Sequence, residues 1–426
     1  MRTDSAPLAL VTPWFGESHS GGAQMLSTQL VHELFALGQS IDVLTTCSRS
    51  FYDDWSINHY EEGATRFNGY TVRRFRVRPR DSDVFAIANQ FLMSLSPEML
   101  RSGRHAIPAR FAAAFCSENI QSPSLLEYLS GWSRSYQAII FTPYLYGPTL
   151  RGVELAAGRA YLQPCLHDEP YAYLPQVAAA FSSAKGLLFN SRAEYELALR
   201  LYGPAIKKKS RVVGHWVGEP DRSKAPTGLQ QWRAPFLLYL GRVDRTKGIE
   251  KIIDAYASYR RYRPQTRLTL VLAGTGKNEG ALTDGVVALG QVSEAVKAAL
   301  LNGCAALLQP SVNESFSRVV MEAWSYGKPA VVNADCNATS QAVRASGAGW
   351  CAASQNDWIA AIAQVDSAPQ GSLESIGARG YKYYLQNGTR DTVFSRYKEI
   401  LLGESSLSSS ARQFTTYSTE SAGKPA

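Results

Sequence analysis

The sequence predicts an α/β protein made of two doubly wound domains that face each other across a cleft. Three observations carry this expectation. Short apolar, β-rich runs alternate with amphipathic helical patterns along most of the chain, as parallel sheets covered on both faces require. The same grammar occurs twice, before and after a seam rich in Pro, Gly and charge near residues 205–235. Finally, 426 residues are too many for a single average domain of roughly 150.

In the first half, strands are predicted at Leu8–Thr12, Ile41–Thr46, Ala138–Thr142, Tyr161–His167 and Gly186–Asn190. Between the first two, a helix over Ala23–Leu37 puts Met25, Leu26, Leu30, Leu34 and Leu37 on one face. The second half repeats the pattern at Phe236–Leu240, Leu268–Ala273, Ala305–Gln309 and Ala330–Asn333, with a helix such as Ile249–Tyr259 between strands. The expected division is a first domain over 1–205, a linker over 206–235 and a second domain over 236–385. A last helix over 386–402 is expected to return to the first domain. Ten of the final 24 residues are Ser or Thr, so 403–426 is expected to be a disordered tail. The stretch Gly63–Arg80 holds six arginines and no acid, and no element is assigned to it.

Composition removes several classes. With 45% hydrophobic and 19% charged residues, the chain is globular rather than disordered. No run approaches the ~18 apolar residues of a membrane span, and the segment before Pro13 is too short and polar for a secretory leader. The six cysteines form no CxxC pair, so buried thiols in a reducing, cytoplasmic setting are expected rather than a disulfide scaffold or zinc site. Residues 1–205 are near neutral, whereas 206–267 alone carry 15 basic and 5 acidic residues. That bias points to an anionic ligand. Nucleic acid is a poor candidate, because no recognised motif accompanies the charge.

Four loops at strand-to-helix junctions carry the chemistry, since free N–H groups there hold phosphates. Gly21-Gly22 opens the first long helix and permits close backbone approach to a ligand. After Leu240, the loop from Gly241 to Gly248 offers Arg242 and Lys247, two cations suited to a departing diphosphate. Gly274-Thr275-Gly276-Lys277 is neither a P-loop nor a dinucleotide fingerprint. It reads as a turn on the cleft rim, and a dehydrogenase is disfavoured. The fourth loop, Pro310 to Ser317, leads into a helix closed by Gly327 and Pro329. Glu314 lies ahead of that helix and Glu322 inside it, with backbone amides free at its start.

The spacing Glu314-x7-Glu322, preceded by Gly241-Arg242 and Lys247-Gly248, resembles the retaining glycosyltransferases of family 4. Gly21-Gly22, His167-Asp168 and Asn190-Ser191-Arg192-Ala193-Glu194 fall in the same order, and the resemblance spans about residues 7–400. It implies the GT-B fold, two Rossmann-like domains, the first for acceptor and the second for donor. By the same resemblance, Arg242 and Lys247 would stabilise the leaving diphosphate and Glu314 would hold hydroxyls of the donor sugar. Glu322 would hold the ribose, and the amides of Ser317, Arg318 and Val319 a phosphate, with Gly274 on the donor side. His167 would lie beside the reacting carbon, and Gly21 and Gly22 would border acceptor or phosphate. Gln24 stands where many relatives have an acid.

The implied activity is transfer of a hexosyl unit from a nucleotide diphosphate sugar, with GDP-mannose favoured by family frequency over UDP-hexoses. The implied acceptor is a glycan or lipid-linked hydroxyl in bacterial surface polysaccharide synthesis, reached from the cytoplasm with peripheral contact at the inner membrane. The nucleotide sugar is a substrate, and neither cofactor nor metal is expected. The rivals are a same-fold epimerase or phosphorylase, the latter needing a pyridoxal phosphate lysine that does not stand out. A non-catalytic sugar-nucleotide sensor or scaffold is the alternative of another class.

Overall fold

The computed structural model describes residues 6–16, 22–102, 106–221, 235–276 and 284–403. Gly21, residues 222–234 of the seam, residues 277–280 of the third loop and the 404–426 tail lie outside the described residues.

The first sheet comprises β1 (Leu8–Val11), β2 (Ile41–Thr46), β3 (Gly63–Phe67), β4 (Tyr70–Phe75), β5 (Ala138–Phe141), β6 (Ala160–Leu162), β7 (Gly186–Phe189) and β8 (Ser210–Val212). Its order is β3-β4-β2-β1-β5-β6-β7-β8, parallel except for the β3–β4 hairpin. The second sheet comprises β9 (Phe236–Leu240), β10 (Thr269–Ala273), β11 (Val286–Gly290), β12 (Ala306–Gln309), β13 (Ala330–Asn333) and β14 (Gly349–Ala352). Its order is β11-β10-β9-β12-β13-β14, all parallel. Strands β1, β5, β7, β9, β12 and β13 are buried at every residue, which is why they read as unbroken apolar runs. Strand order reverses between β1 and β5 in one sheet and between β9 and β12 in the other. Loops leaving the carboxyl ends of such strands frame the crevice where open α/β sheets take ligands.

The arginine-rich stretch is the β3–β4 hairpin. Asn68 (φ 47°) and Gly69 (φ 92°) make its turn, the pair of left-handed residues that a two-residue hairpin needs. Its cations are absorbed by the first domain: Arg74 donates to the Phe15 carbonyl at 2.9 Å and lies over Tyr60, while Arg73 lies over Tyr128.

Several boundaries differ from those the sequence predicts. The strand expected over Tyr161–His167 stops at Leu162, because Pro164 has no N–H to offer and Cys165 turns left-handed (φ 56°); His167 therefore sits in a loop. Residues 206–212, expected as linker, form a short 3-10 turn and strand β8, which pairs with β7. A helix over Ser372–Asn387 crosses the expected limit at 385. The last helix, Arg390–Leu402, begins only after Gly388. Its Val393, Phe394, Tyr397 and Leu401 enter the same apolar cluster as Leu8, Leu10 and Ile41 of the first sheet. Gln163 donates to the Tyr397 hydroxyl at 2.6 Å, and Arg390 to Glu33 at 2.7 Å. All six cysteines are free; Cys47, Cys304 and Cys336 are buried, whereas Cys116, Cys165 and Cys351 are half-buried. No described helix is long and apolar enough to cross a membrane.

Candidate functional site

The loop after β9 is shaped by glycines. Gly274 has φ 148°, and a Cβ there would lie 1.7 Å from the Gly241 carbonyl oxygen. Only glycine lets the β9 and β10 loops pass that closely. Gly274 thus sits behind Arg242 and sets the path of its backbone. Asp244 accepts from the Lys247 N–H and closes the turn Arg245–Lys247, which ends at left-handed Gly248. Arg242 reaches Asp244 at 3.4 Å, and its guanidinium lies 5.8 Å from the ring of Tyr52 in the first domain. Lys247 Nζ donates to Glu314 Oε1 at 2.8 Å. Two loops from either side of the second sheet's reversal point therefore meet through a charge pair.

The loop after β12 ends in Ser317, left-handed at φ 65° and placed as the N-cap of the helix Arg318–Ser325. A non-glycine residue there costs on the order of 1–3 kcal/mol and persists only where surroundings enforce it. Gln309 donates to its Oγ at 3.3 Å, and the residue is buried. Glu322, one turn into the helix, has a side chain only 13% exposed, with Lys297 Nζ at 3.4 Å and Arg318 Nη2 at 3.6 Å. Burial pulls the Lys297 ammonium down, but Glu322 and Glu294 outweigh it and hold it above the usual lysine value.

Arg318 also reaches into the first domain. It donates to Gln29 Oε1 at 2.9 Å and to the Trp216 carbonyl at 3.1 Å, beside His215. Burial and the Arg318 charge push the His215 imidazole down to about 3, so it stays neutral against its stacked neighbour Phe316.

His167 lines a cleft of about 520 Å³ with Pro97, Asp168, Asn313, Glu314 and Asp335, residues of both domains. Its Nδ1 lies 3.6 Å from Glu169 Oε1, which accepts from the Tyr144 hydroxyl at 2.6 Å. Burial alone would lower the imidazole; Glu169 first and Glu314 next outweigh it and hold His167 above its ordinary value. Glu194, in the motif after β7, points inward instead. Its two carboxyl oxygens accept the amides of Leu166 (2.6 Å) and Asn190 (2.5 Å), fixing the loop that carries His167. The domains touch beside this cleft through Gln341 to Glu196 at 2.8 Å and the cluster of Ala193, Cys336 and Ala338.

The structure thus brings His167, Lys247 and Glu314 together and groups Ser317, Arg318, Val319 and Glu322 on one helix start. Arg242 pairs with Asp244 and faces Tyr52. Gly22 begins the helix Gly22–Ala36 with open space above it. Sequence reasoning missed Lys297, Gln29, His215, Tyr52 and the Glu169–Tyr144 support. Only Glu169, two residues after His167, carried a local signal. One Asp-x-Asp does occur, Asp81-Ser82-Asp83, but the Asp81 carboxylate accepts from the Asp83 and Val84 amides and caps the helix Ser82–Met93. Among the described residues no group of three metal-ligating side chains gathers.

This arrangement of sheets recurs in solved structures. Sucrose-phosphate synthase from Thermosynechococcus elongatus matches with a TM-score of 0.62 and 17% identity, over 94% of this chain and 100% of that one. HepE from Anabaena in complex with UDP-glucose matches at 0.63 and 14%, over 93% and 100%. The trehalose-phosphate synthase from Burkholderia xenovorans in complex with glucose-6-phosphate matches at 0.66 and 10%, over 92% and 99%. The fold is GT-B. Residues 230–382 match the family model of glycosyl transferases group 1, a stretch that holds Arg242, Lys247, Glu314 and Glu322. Among curated proteins none matches the chain.

Proposed function

We propose that this protein is a retaining glycosyltransferase that moves a hexosyl group from a nucleoside diphosphate sugar, bound by the second domain, to a hydroxyl presented by the first. The observation that carries the reading is the Lys247–Glu314 pair at 2.8 Å, facing His167 across a cleft that both domains line. A diphosphate gains negative charge as its bond to the sugar breaks. Arg242, Lys247 and the free amides at Ser317, Arg318 and Val319 supply positive charge where it develops. Lys247 anchors Glu314 through the 2.8 Å contact, which positions the Glu314 oxygens to accept hydrogen bonds from donor-sugar hydroxyls. Glu322, held by Lys297 and Arg318, is placed to accept from the ribose. The leaving phosphate takes the acceptor proton on the face it departs from, which preserves the anomeric configuration.

Both UDP-hexoses and GDP-mannose are candidate donors. UDP-glucose, present in the HepE complex, favours the first class. A glycan or lipid-linked hydroxyl is the acceptor, approached from the cytoplasm at the inner membrane. Release of UDP or GDP from a panel of nucleotide sugars tests the reading; no release from any donor would end it. Because two cations and a helix start already offset the diphosphate charge, turnover is expected to survive EDTA. Loss reversed by Mg²⁺ or Mn²⁺ would reveal a carboxylate site that this mechanism lacks.

A further inference from the structure

The reversal point of the first sheet is floored by aromatic rings. Trp14, in the loop after β1, meets Tyr146, beyond β5, edge-on at 4.7 Å. Phe51 and Trp55, from the loop after β2, lie against Trp14 at 5.9 and 5.6 Å, and Trp55 against Phe85 at 5.5 Å. Both indole N–H groups are already used: Trp14 donates to Ser48 Oγ at 3.3 Å and Trp55 to the Phe51 carbonyl at 2.9 Å. Arg80 lies 4.8 Å from the rings of Trp55 and Phe85. The rings are therefore held rigidly, yet Phe51 is 45% and Tyr52 57% exposed. Tyr52 faces Arg242 of the other domain, so the exposed rings are continuous with a cation of the donor loop.

We propose that Phe51, Tyr52 and Trp55 form a stacking platform for a pyranose ring of the acceptor, one that selects a carbohydrate rather than a lipid chain. The site stands at a topological reversal, where such sheets take ligands. A pyranose has one face of polarised C–H groups, which suits the negative face of an aromatic ring, and a rim of hydroxyls. Asp53 and Asp54 flank the rings; Asp53 is paired with Arg49 and accepts from Ser50 at 2.6 Å, so a polar rim surrounds an apolar floor. The proposal rests on the glycosyl-transfer reading for the word acceptor, while its test needs no donor.

Tryptophan emission titrated with maltotriose, cellotriose, mannotriose and chitotriose measures the platform directly. At least one trisaccharide should bind saturably, and Phe51→Ala should weaken it by roughly tenfold. Phe51→Leu, which keeps apolar bulk without a ring, should weaken it comparably, and Phe51→Tyr should restore it. Unchanged circular dichroism melting in the variants establishes that they fold. No binding by any trisaccharide, or equal binding by Phe51→Leu and wild type, overturns the platform. So does Phe51-dependent binding of phosphatidylcholine–phosphatidylglycerol vesicles without trisaccharide binding. Ring-dependent binding in a chain that releases no nucleotide from any donor would instead keep the platform and end the transferase reading.

Discussion

Arg242 and Lys247 differ in what holds them. Lys247 is fixed by Glu314, whereas Arg242 is balanced between Asp244 and the Tyr52 ring. On the proposed mechanism, replacing either by Ala removes a positioned charge from the leaving diphosphate, which typically costs about 3 kcal/mol, a hundred- to a thousandfold in kcat. Steady-state kinetics on folded variants checks this, and turnover near wild type would remove the diphosphate role. Glu314 makes the sharper test. Its proposed task is to accept hydroxyl hydrogen bonds, not to form a bond to carbon. Glu314→Gln, still an acceptor, is expected to keep weak activity, and Glu314→Ala almost none. The NMR spectrum of the product linkage should show the donor's anomeric configuration; an inverted anomer, or a glycosyl ester trapped on Glu314, would refute the front-face route.

At the scale of elements, the helix Arg192–Tyr202 supports the cleft through one buried acid. Burial pushes the Glu194 carboxyl up to about 8, although the Leu166 and Asn190 amides pull it down. The folded protein then holds a proton that the unfolded chain releases above about 4.5. Stability falls wherever the folded state binds more protons than the unfolded one. This contribution is complete below pH 4.5 and is lost as pH rises through 8. Thermal melting of the wild type is therefore expected to weaken from pH 5 to pH 8.5 more steeply than that of Glu194→Gln, which carries no titrating group. Parallel slopes would show that Glu194 is ionised in the fold. The helix Arg318–Ser325 works differently: its Arg318 side chain bonds Gln29 and Trp216 of the other domain.

Across the whole molecule, the chain closes on itself. Phe394 of the last helix is 3% exposed and meets Trp216 at 4.7 Å, inside the apolar cluster of the first sheet. Truncating a buried aromatic to Ala costs about 3–5 kcal/mol, a large share of the roughly 5–15 kcal/mol that holds a domain together. Phe394→Ala should lower the melting of the first domain while the second, whose clusters lie elsewhere, melts nearly unchanged. Differential scanning calorimetry separates the two. A single unshifted transition would show that the last helix contributes little.

The sequence by itself determined the doubly wound sheets, because a strand buried on both faces must be a short apolar run. Ile41–Thr46, Phe236–Leu240 and Ala330–Asn333 were legible to the residue for that reason. It also determined which strand-to-helix junctions carry charge, since Arg242, Lys247 and Glu314 stand in loops and Glu322 in the helix that follows. What it left open depended on contacts between distant segments. The edge strands β3 and β8 are short or exposed and lack the apolar signal. His167 lies beyond its predicted strand because a proline and a left-handed cysteine end the ladder. Lys297 beside Glu322, Tyr52 before Arg242 and the aromatic floor at the first sheet's reversal point join residues from separate loops or domains. Only the tertiary structure decided those, because a charge or ring announces its neighbour along the chain but not the partner that folding brings to it.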